Sequence, residues 1–307
     1  MKKQKIGTSN IKASRIALGC MRMADKTVEE AKVIIQTALD GGINFFDHAD
    51  MYGAGKSESI FTEALKSMDV KREDIILQSK VGVRPELQLY DFSYDHIKSS
   101  VKGILERLDT DYIDILLLHR PDTMMEPEEI AKAFIELYEA KKVRAFGVSN
   151  FNPMQIELVQ KYLPFPLITN QVQLSVMHTP LIDEGINVNH PFNKPVAQTG
   201  GLLEYSRLKD ITLQAWSPYQ YGFFEGTFID NPKFPELNET MEIYAQKYGV
   251  TKTTIATAWI LSHPAQIQVI AGSMTPSRIN EITKATDFTL TKVEWYDIYK
   301  KAGNLIP

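Results

Sequence analysis

Four side chains that can exchange a proton follow three consecutive apolar segments of the chain. They are Asp47 and Tyr52 after segment 43–46, Lys80 after segment 74–78, and His119 after segment 112–118. A carboxylate, a phenol, an ammonium and an imidazole that meet in one pocket can protonate the oxygen of a carbonyl group. The spacing therefore indicates carbonyl chemistry, provided that the fold brings the ends of these segments together.

Tyr52 is the predicted proton donor of this set. A free phenol has a pKa of about 10 and releases its proton reluctantly at neutral pH. An ammonium about 4 Å away favours the phenolate by roughly 4 kcal/mol at an effective dielectric near 20. We therefore expect Lys80, kept charged by Asp47, to lower the pKa of Tyr52 to as little as about 7, before burial offsets part of the effect. His119 is expected to hydrogen-bond the carbonyl and to orient it.

The segments that must position these residues alternate with helical patterns along the chain. Thr27 and Glu30 form a capping-box sequence ahead of an apolar helix face, and Gly41 and Gly42 end that helix. The other strand-like segments are 16–18, 143–148, 166–169, 212–216 and 267–270. The other helical segments are 57–66, 94–108, 128–139, one that starts at Pro153, 235–248, 251–261 and 276–286.

Eight strand–helix repeats without a break in composition predict an α/β fold, namely a (β/α)8 TIM barrel formed by residues 1–307 as a single domain. Segment 5–15 indicates an N-terminal hairpin, and segment 292–302 indicates an extra C-terminal helix. The carboxyl ends of neighbouring barrel strands share one mouth, which would unite the four side chains. An open doubly wound sheet also fits the alternation, but no G-x-G-x-x-G sequence follows a strand.

Residues 174–207, which include the stretch 181–201, show little periodicity. They contain several Asn, Pro and Gly residues, among them Asn187, Pro191 and Gly200. A loop of this length in a compact domain is usually functional. Because it follows the sixth strand, we expect it to overhang the barrel mouth.

Composition excludes several classes of function. Of 307 residues 44% are hydrophobic, the net charge is −4 and no basic cluster stands out, so we expect neither nucleic acid nor membrane as a partner. No apolar run is long enough to span a bilayer. The lone Cys20 cannot form an intrachain disulfide and no signal-peptide pattern is visible, which predicts a cytoplasmic protein.

The sequence around Asp47 also resembles two other kinds of site, a metal site and a phosphate-binding loop. Asp47, His48 and Asp50 resemble metal ligands and would suit a barrel metallohydrolase, but no second cluster of similar density lies at another strand end, so no metal is expected. Segment 55–57 (Gly-Lys-Ser) imitates the end of a phosphate-binding P-loop. That motif fails because Asp50 stands where its first glycine is required.

The motifs resemble those of the aldo/keto reductase family over nearly the whole chain, and most closely its bacterial oxidoreductases. The first motif is matched by Asp47, Tyr52, Gly53, Gly55, Ser57 and Glu58. Lys80 matches the family lysine, and segment 105–122 (LERLDTDYIDILLLHRPD) supplies His119. The resemblance implies a (β/α)8 barrel that binds NADPH across its mouth.

The resemblance also implies a set of cofactor contacts. Ser149, Asn150 and Gln171 would bind the nicotinamide amide, and Trp216 would stack on the ring. Gly272, Ser273 and Arg278 would grip the adenosine 2′-phosphate, while Glu281 would contact adenine. The remaining expected cofactor-binding residues are Met21, Arg22, Asp47, Ser217 and Tyr219. An arginine on a phosphate favours NADPH over NADH.

The predicted function is therefore NADPH-dependent reduction of aldehydes or ketones, with Tyr52 as the proton donor and a small carbonyl compound as the partner. The alternative is a nicotinamide-binding subunit that regulates a partner with little turnover of its own, as some family members do. The sequence leaves open the physiological substrate, the preferred direction and the oligomeric state.

Overall fold

Eight parallel strands close into a barrel in this computed structural model, which describes residues 1–188 and 199–306. The strands are β1 (Lys3–Lys5), β2 (Lys12–Ser14), β3 (Ile16–Gly19), β4 (Phe45–Asp47), β5 (Ile76–Val81), β6 (Val83–Arg84), β7 (Leu89–Tyr90), β8 (Ile113–Leu118), β9 (Val143–Ser149), β10 (Leu167–Gln173), β11 (Thr212–Trp216) and β12 (Gln268–Ala271). The barrel contains β3, β4, β5 and β8 to β12, and β12 pairs back onto β3. The predicted barrel fold is confirmed.

Helices cover the outside of the barrel, as parallel strand pairing requires. The α-helices of the described residues are α1 (Val28–Asp40), α2 (Lys56–Lys66), α3 (Tyr94–Arg107), α4 (Pro127–Glu139), α5 (Pro153–Gln160), α6 (Pro180–Ile186), α7 (Leu202–Leu208), α8 (Pro235–Tyr248), α9 (Lys252–Leu261), α10 (Pro276–Thr283) and α11 (Lys292–Lys301). None of these helices is long and apolar enough to cross a membrane.

Short local signals fix where the helices begin. The predicted capping box forms before α1, where Thr27 Oγ1 accepts from the Glu30 backbone N–H at 3.2 Å and Glu30 Oε2 accepts from the Thr27 N–H at 2.8 Å. Before α5, Asn152 makes the same reciprocal pair with Gln155, and Pro153 takes the first helical position. These caps set the start of each helix and so fix where the preceding loop ends.

The apolar core has one layer between strands and helices and a second layer inside the barrel. The inner layer contains Phe45, Ile115 and Ile168 together with Ile6 and Ile11 from the β1–β2 hairpin. The antiparallel pairing of β1 with β2 confirms the predicted N-terminal hairpin, which begins at Lys3 rather than at residue 5. Its apolar side chains cover the amino ends of the strands, which leaves only the opposite end for a site.

The predicted C-terminal helix is confirmed as α11, and it is fixed to the barrel by two tryptophans. Trp295 stacks on Trp259 of α9 with 4.6 Å between ring centroids. Each indole N–H donates to the backbone carbonyl of the other residue, at 3.0 and 2.9 Å. These buried rings secure α9, whose first residues reach the barrel mouth.

Two barrel strands are longer than predicted. The strand expected to end at Gln78 continues to Val81, so Lys80 lies inside β5 rather than beyond it. The strand expected at 166–169 continues to Gln173 and includes Gln171. Both differences have the same cause, because polar residues usually indicate a strand end, whereas here hydrogen bonds inside the protein satisfy Lys80 and Gln171 within their strands. The hairpin of β6 and β7 was not predicted.

The expectation of an irregular loop over residues 174–207 was wrong at 180–186 and from 202 onwards, where the structure has helices. This segment contains α6 and, from Leu202, most of α7. Glu184 of α6 accepts from the backbone N–H groups of Thr199 and Gly201 at 3.0 and 3.1 Å, which ties the two helices together. Residues 189–198 lie outside the described residues.

Candidate active site

A cavity of about 1300 Å³ opens at the carboxyl ends of the barrel strands. The structure brings the predicted site residues together there, and all of them except Lys80 line its wall. They are Met21, Arg22, Asp47, Tyr52, His119, Ser149, Asn150, Gln171, Trp216, Ser217, Tyr219, Gly272, Ser273, Arg278 and Glu281. Lys80 is fully buried beneath the wall. The described residues of segment 174–207 do not line the cavity, so the predicted overhang is absent from that part of the segment.

Lys80 joins the members of the predicted catalytic set. Its Nζ donates to Asp47 Oδ1 and Oδ2 at 2.8 and 2.7 Å, and to the backbone carbonyl of His48 at 2.8 Å. The same atom lies 3.2 Å from the Tyr52 hydroxyl. Burial disfavours the ammonium, but the interactions with Asp47 and Tyr52 together outweigh that effect, and the pKa of Lys80 is raised. A positive charge therefore stands beside the phenol at neutral pH.

The predicted lowering of the Tyr52 pKa is wrong for this structure. Burial of the phenol raises the pKa of Tyr52 above its usual value of 10.0, and the opposing charge of Lys80 does not compensate. The phenol is therefore protonated at neutral pH, which a proton donor must be. Lys80 stays in place to stabilise the phenolate that a transferred proton would leave behind.

His119 presents a neutral imidazole beside the phenol. Its ring meets the Tyr52 ring edge to face, with 5.8 Å between centroids. Burial, and then the charges of Lys80 and Arg120, hold the pKa of His119 well below its usual value. Among the described residues, Nδ1 of this ring has no hydrogen-bond partner. A neutral imidazole carries one N–H, which can donate a hydrogen bond to a carbonyl oxygen.

A chain of buried glutamines supports Asp47 from inside the barrel. Asp47 Oδ1 accepts from Gln78 Nε2 at 2.6 Å and from Gln171 Nε2 at 3.0 Å. Both amides also donate to Gln214 Oε1, at 2.9 and 3.2 Å. Gln214 Nε2 donates in turn to Gln268 Oε1 at 2.8 Å. The chain fixes the orientation in which the carboxylate meets Lys80.

Sequence reasoning missed the structural role of Gln78 and Gln214, although a period of two marks both residues. Alternate side chains of a strand face the same side of the sheet. Gln78 stands two residues before Lys80, and Gln214 two residues before Trp216. If Lys80 and Trp216 face the barrel interior or mouth, the same alternation predicts that Gln78 and Gln214 face the barrel interior.

Three predicted nicotinamide contacts and Trp216 form one hydrogen-bonded wall of the cavity. Ser149 Oγ donates to the Gln171 backbone carbonyl at 2.8 Å, and Asn150 Nδ2 donates to Ser149 Oγ at 2.8 Å. Trp216 Nε1 donates to Asn150 Oδ1 at 3.0 Å. The indole is thereby held in one orientation, while its stacking on a cofactor stays a prediction.

The far end of the cavity is open and has few internal contacts. A Cβ atom added at Gly272 would meet nothing within 4 Å. Thr275 caps α10 without a side-chain hydrogen bond, so the first N–H groups of that helix are available to an anion. Arg278 lies exposed on the same helix and lines the cavity. A phosphate group suits this combination of a helix N-terminus and a guanidinium.

The geometry does not support the metallohydrolase alternative. The described residues contain no group of three His, Cys, Asp or Glu side chains that could hold a metal ion. The Asp47 carboxylate is bound to Lys80, and the His48 ring packs edge-on against Phe61 with 4.7 Å between centroids. Burial lowers the pKa of His48 to about 3. These residues are part of the protein interior rather than of a metal site.

The chain is similar in sequence to several proteins of known name. The chain is 32% identical over 313 residues to the 6-dehydroglucose reductase of Novosphingobium aromaticivorans, and the match covers 99% of this chain and 97% of that protein. It is 34% identical to the oxidoreductase YdhF of Escherichia coli, over 94% of this chain and 93% of that protein. A probable voltage-gated potassium channel subunit beta of Arabidopsis thaliana is 27% identical, over 94% and 92% of the two chains.

Solved structures give the same result. The crystal structure of the thermostable aldo-keto reductase Tm1743, in complex with the inhibitor epalrestat, superposes with a TM-score of 0.78 at 25% identity. That match covers 98% of this chain and 100% of the other. The sequence profile of the Aldo/keto reductase family matches residues 15–302. The chain therefore belongs to the Aldo/keto reductase family.

Proposed function

We propose that this protein reduces aldehydes or ketones to alcohols with NADPH, and that Tyr52 is the proton donor. One observation carries the proposal, namely the buried Lys80 ammonium that joins the Asp47 carboxylate to the Tyr52 hydroxyl beside His119. This arrangement places a protonated phenol, a stabilising cation and a neutral imidazole at one end of an open cavity. Membership of an oxidoreductase family agrees with it.

The residues around the cavity suit a dinucleotide. The cavity has a volume of about 1300 Å³, which exceeds the roughly 300–1000 Å³ of ordinary small-ligand pockets. A cofactor and a substrate therefore have room in it together. The open space at Gly272 and the uncapped start of α10 suit a phosphate, which Arg278 would bind. Ser149 and Asn150 would hold the nicotinamide amide beside Trp216. A guanidinium at the 2′-phosphate would favour NADPH over NADH.

The chain's own residues account for the proton side of the reaction. When bound, reduced nicotinamide supplies a hydride to the carbonyl carbon. His119 binds the carbonyl oxygen and points it towards Tyr52. The Tyr52 hydroxyl gives its proton to that oxygen as negative charge develops there. Lys80 stabilises the resulting phenolate, and Asp47 keeps Lys80 charged.

Single-turnover mixing of the NADPH-loaded protein with a panel of aldehydes and ketones tests this function. We expect loss of the NADPH absorbance, and a rate roughly 10²- to 10⁴-fold lower in Tyr52→Phe at unchanged NADPH affinity. Tyr138→Phe, which alters an exposed tyrosine of α4, is the matched control and should react like wild type. Cofactor that stays reduced with every carbonyl compound would count decisively against the proposal.

The regulatory alternative has one observation in its favour, the similarity to a plant protein named as a probable channel subunit. Against it stands the complete set of Asp47, Tyr52, Lys80 and His119 around the cavity. The two functions differ in one measurement. A regulatory subunit would bind NADPH tightly in a fluorescence-quenching titration and yet oxidise none of it in the single-turnover experiment, with wild type indistinguishable from Tyr52→Phe.

A further inference from the structure

We propose that the carbonyl substrate carries a carboxylate and that Arg120 binds it. This inference rests on the proposed carbonyl reduction and assigns its substrate class to oxo acids. Arg120 directly follows His119 and lines the same cavity. It therefore stands where the part of the substrate next to the reacting carbonyl must lie.

Aromatic rings hold the Arg120 guanidinium without neutralising it. Its Cζ lies 5.4 Å from the centroid of the Trp216 ring and 5.9 Å from that of Phe223. Such contacts restrict a guanidinium to one region and leave its N–H groups free for a planar anion. The charge also reaches the catalytic set, because it is one of the causes that lower the pKa of His119.

No protein group within the described part of the chain satisfies the Arg120 N–H donors. The guanidinium makes neither a hydrogen bond nor an ion pair with residues 1–188 or 199–306. Two arginines elsewhere in the fold are paired, Arg72 with Asp114 and Arg107 with Glu58. A cation that faces a cavity and lacks an internal partner is suited to an anion from outside.

The three arginines that line the cavity can be told apart by their contacts. Arg22 Nη1 lies 3.4 Å from the Gly272 backbone carbonyl, at the far end of the cavity. Arg278 lies at that same end, on α10, where a cofactor phosphate is expected. Arg120 alone among them lies beside His119 and Trp216. Its position therefore assigns it to the substrate rather than to the cofactor.

Matched pairs of carbonyl compounds test the assignment, because a methyl ester keeps the shape of an acid and removes its charge. The pairs are 4-oxobutanoate with its methyl ester, and pyruvate with methyl pyruvate. We expect wild type to prefer at least one acid over its ester in kcat/KM. Arg120→Gln should lower kcat/KM for that acid roughly 10- to 100-fold, mainly through KM, and should leave the ester nearly unchanged. Arg120→Lys should recover part of the loss.

Two controls separate this inference from other effects. Arg84→Gln removes a cation of β6 that is already paired with Glu86 and Asp91, and should leave the ratio of acid to ester unchanged. The NADPH dissociation constant should be the same in wild type and in both Arg120 variants. An equal loss for acid and ester, a wild type that prefers both esters, or weakened NADPH binding would overturn the assignment. If wild type reduces neutral carbonyls and ignores charge, only this inference fails; if it reduces none, the proposed function fails with it.

Discussion

The two ends of the cavity differ in how their polar groups are satisfied. At the catalytic end, Asp47 and Lys80 are buried and each makes several hydrogen bonds inside the protein. At the other end, Arg278 is exposed and α10 begins without a side-chain cap. The Asp47–Lys80 pair is thus satisfied without a ligand, whereas the far end leaves donors that a ligand would satisfy.

Because of this difference, substitutions at one end should affect the stability of the fold, and substitutions at the other end should affect the affinity for the cofactor. A buried hydrogen-bonded charge is costly to leave alone, so changes at the catalytic end should lower the free energy of unfolding together with turnover. An exposed donor that waits for a ligand costs little when it is removed. Changes at the far end should therefore weaken cofactor binding and leave the fold intact.

The largest expected effect is that of Lys80→Met. It leaves the Asp47 carboxylate buried without its cation, which should lower the free energy of unfolding by about 3–5 kcal/mol. Turnover should fall by roughly 10²- to 10³-fold or more, because the phenolate of Tyr52 loses its stabilising charge. Urea denaturation and single-turnover kinetics measure the two effects.

A double variant separates the two roles of Lys80. Asp47→Asn combined with Lys80→Met removes both charges and keeps an amide oxygen that can accept from Gln78. Stability should recover towards that of wild type while turnover stays low. A Lys80→Met protein as stable as wild type would show that the ion pair does not hold the catalytic end together.

The fold and the meeting of Asp47, Tyr52, Lys80 and His119 at the barrel mouth could be predicted because they depend on local signals. Apolar strand segments, helix caps and motif residues are all read within a few positions of one another. Lys80 is an example. Its strand is visible in the sequence as an apolar segment, and side chains two residues apart along that strand face the same side. The predicted strand end at Gln78 nevertheless lies three residues too early. The same local signals predict the eight strand–helix repeats of the barrel and the N-terminal hairpin that precedes them.

The electrostatics of the site could not be predicted in the same way. The expected fall in the Tyr52 pKa assumed a charge at a given distance in a partly solvated site, but the folded site is dry enough for burial to dominate. The glutamine chain through Gln214 depends on contacts between strands far apart in sequence. Burial and long-range partners are properties of the assembled barrel, so they become visible only in three dimensions.

Asp50 lies three residues after Asp47, and its burial predicts a dependence of stability on pH. Burial, and then the charge of Glu58, raise the pKa of Asp50 to about 7 from 3.8. The folded protein keeps a proton that the unfolded chain releases between about pH 4 and pH 7, so this group lowers stability as the pH rises through that range. The full effect is up to roughly 4 kcal/mol.

Asp50→Asn removes that titration. Urea unfolding at pH 5 and pH 8 should show a smaller loss of stability on going to pH 8 in the variant than in wild type. The comparison between the two proteins cancels other titrating groups such as His119, whose lowered pKa acts in the opposite direction. An identical pH dependence in both proteins would show that Asp50 is ionised without cost.

Gln214→Leu should lower the free energy of unfolding by less than Lys80→Met does. The change leaves the side-chain carbonyls of Gln78 and Gln268 without the donor that now serves them. Two such losses should cost about 2–4 kcal/mol of unfolding free energy, while turnover should fall less than in Lys80→Met because Asp47 keeps its other donors. Gln220→Leu, at a residue whose side-chain oxygen already lacks a partner within the described structure, is the control.

The smallest effect, and the one that tests the far end directly, is that of Arg278→Ala. The exposed guanidinium makes no internal ion pair with the described residues, so the urea midpoint should not change. Loss of the proposed contact with the 2′-phosphate should weaken NADPH binding roughly tenfold and leave NADH binding nearly unchanged. Fluorescence quenching with both cofactors measures this, and Lys284→Ala, just beyond α10, controls for a general change in charge. Equal affinity for NADPH and NADH in wild type would contradict the phosphate-binding role of Arg278. A lowered urea midpoint in the variant would contradict the difference between the two ends of the cavity, because both ends would then contribute to stability.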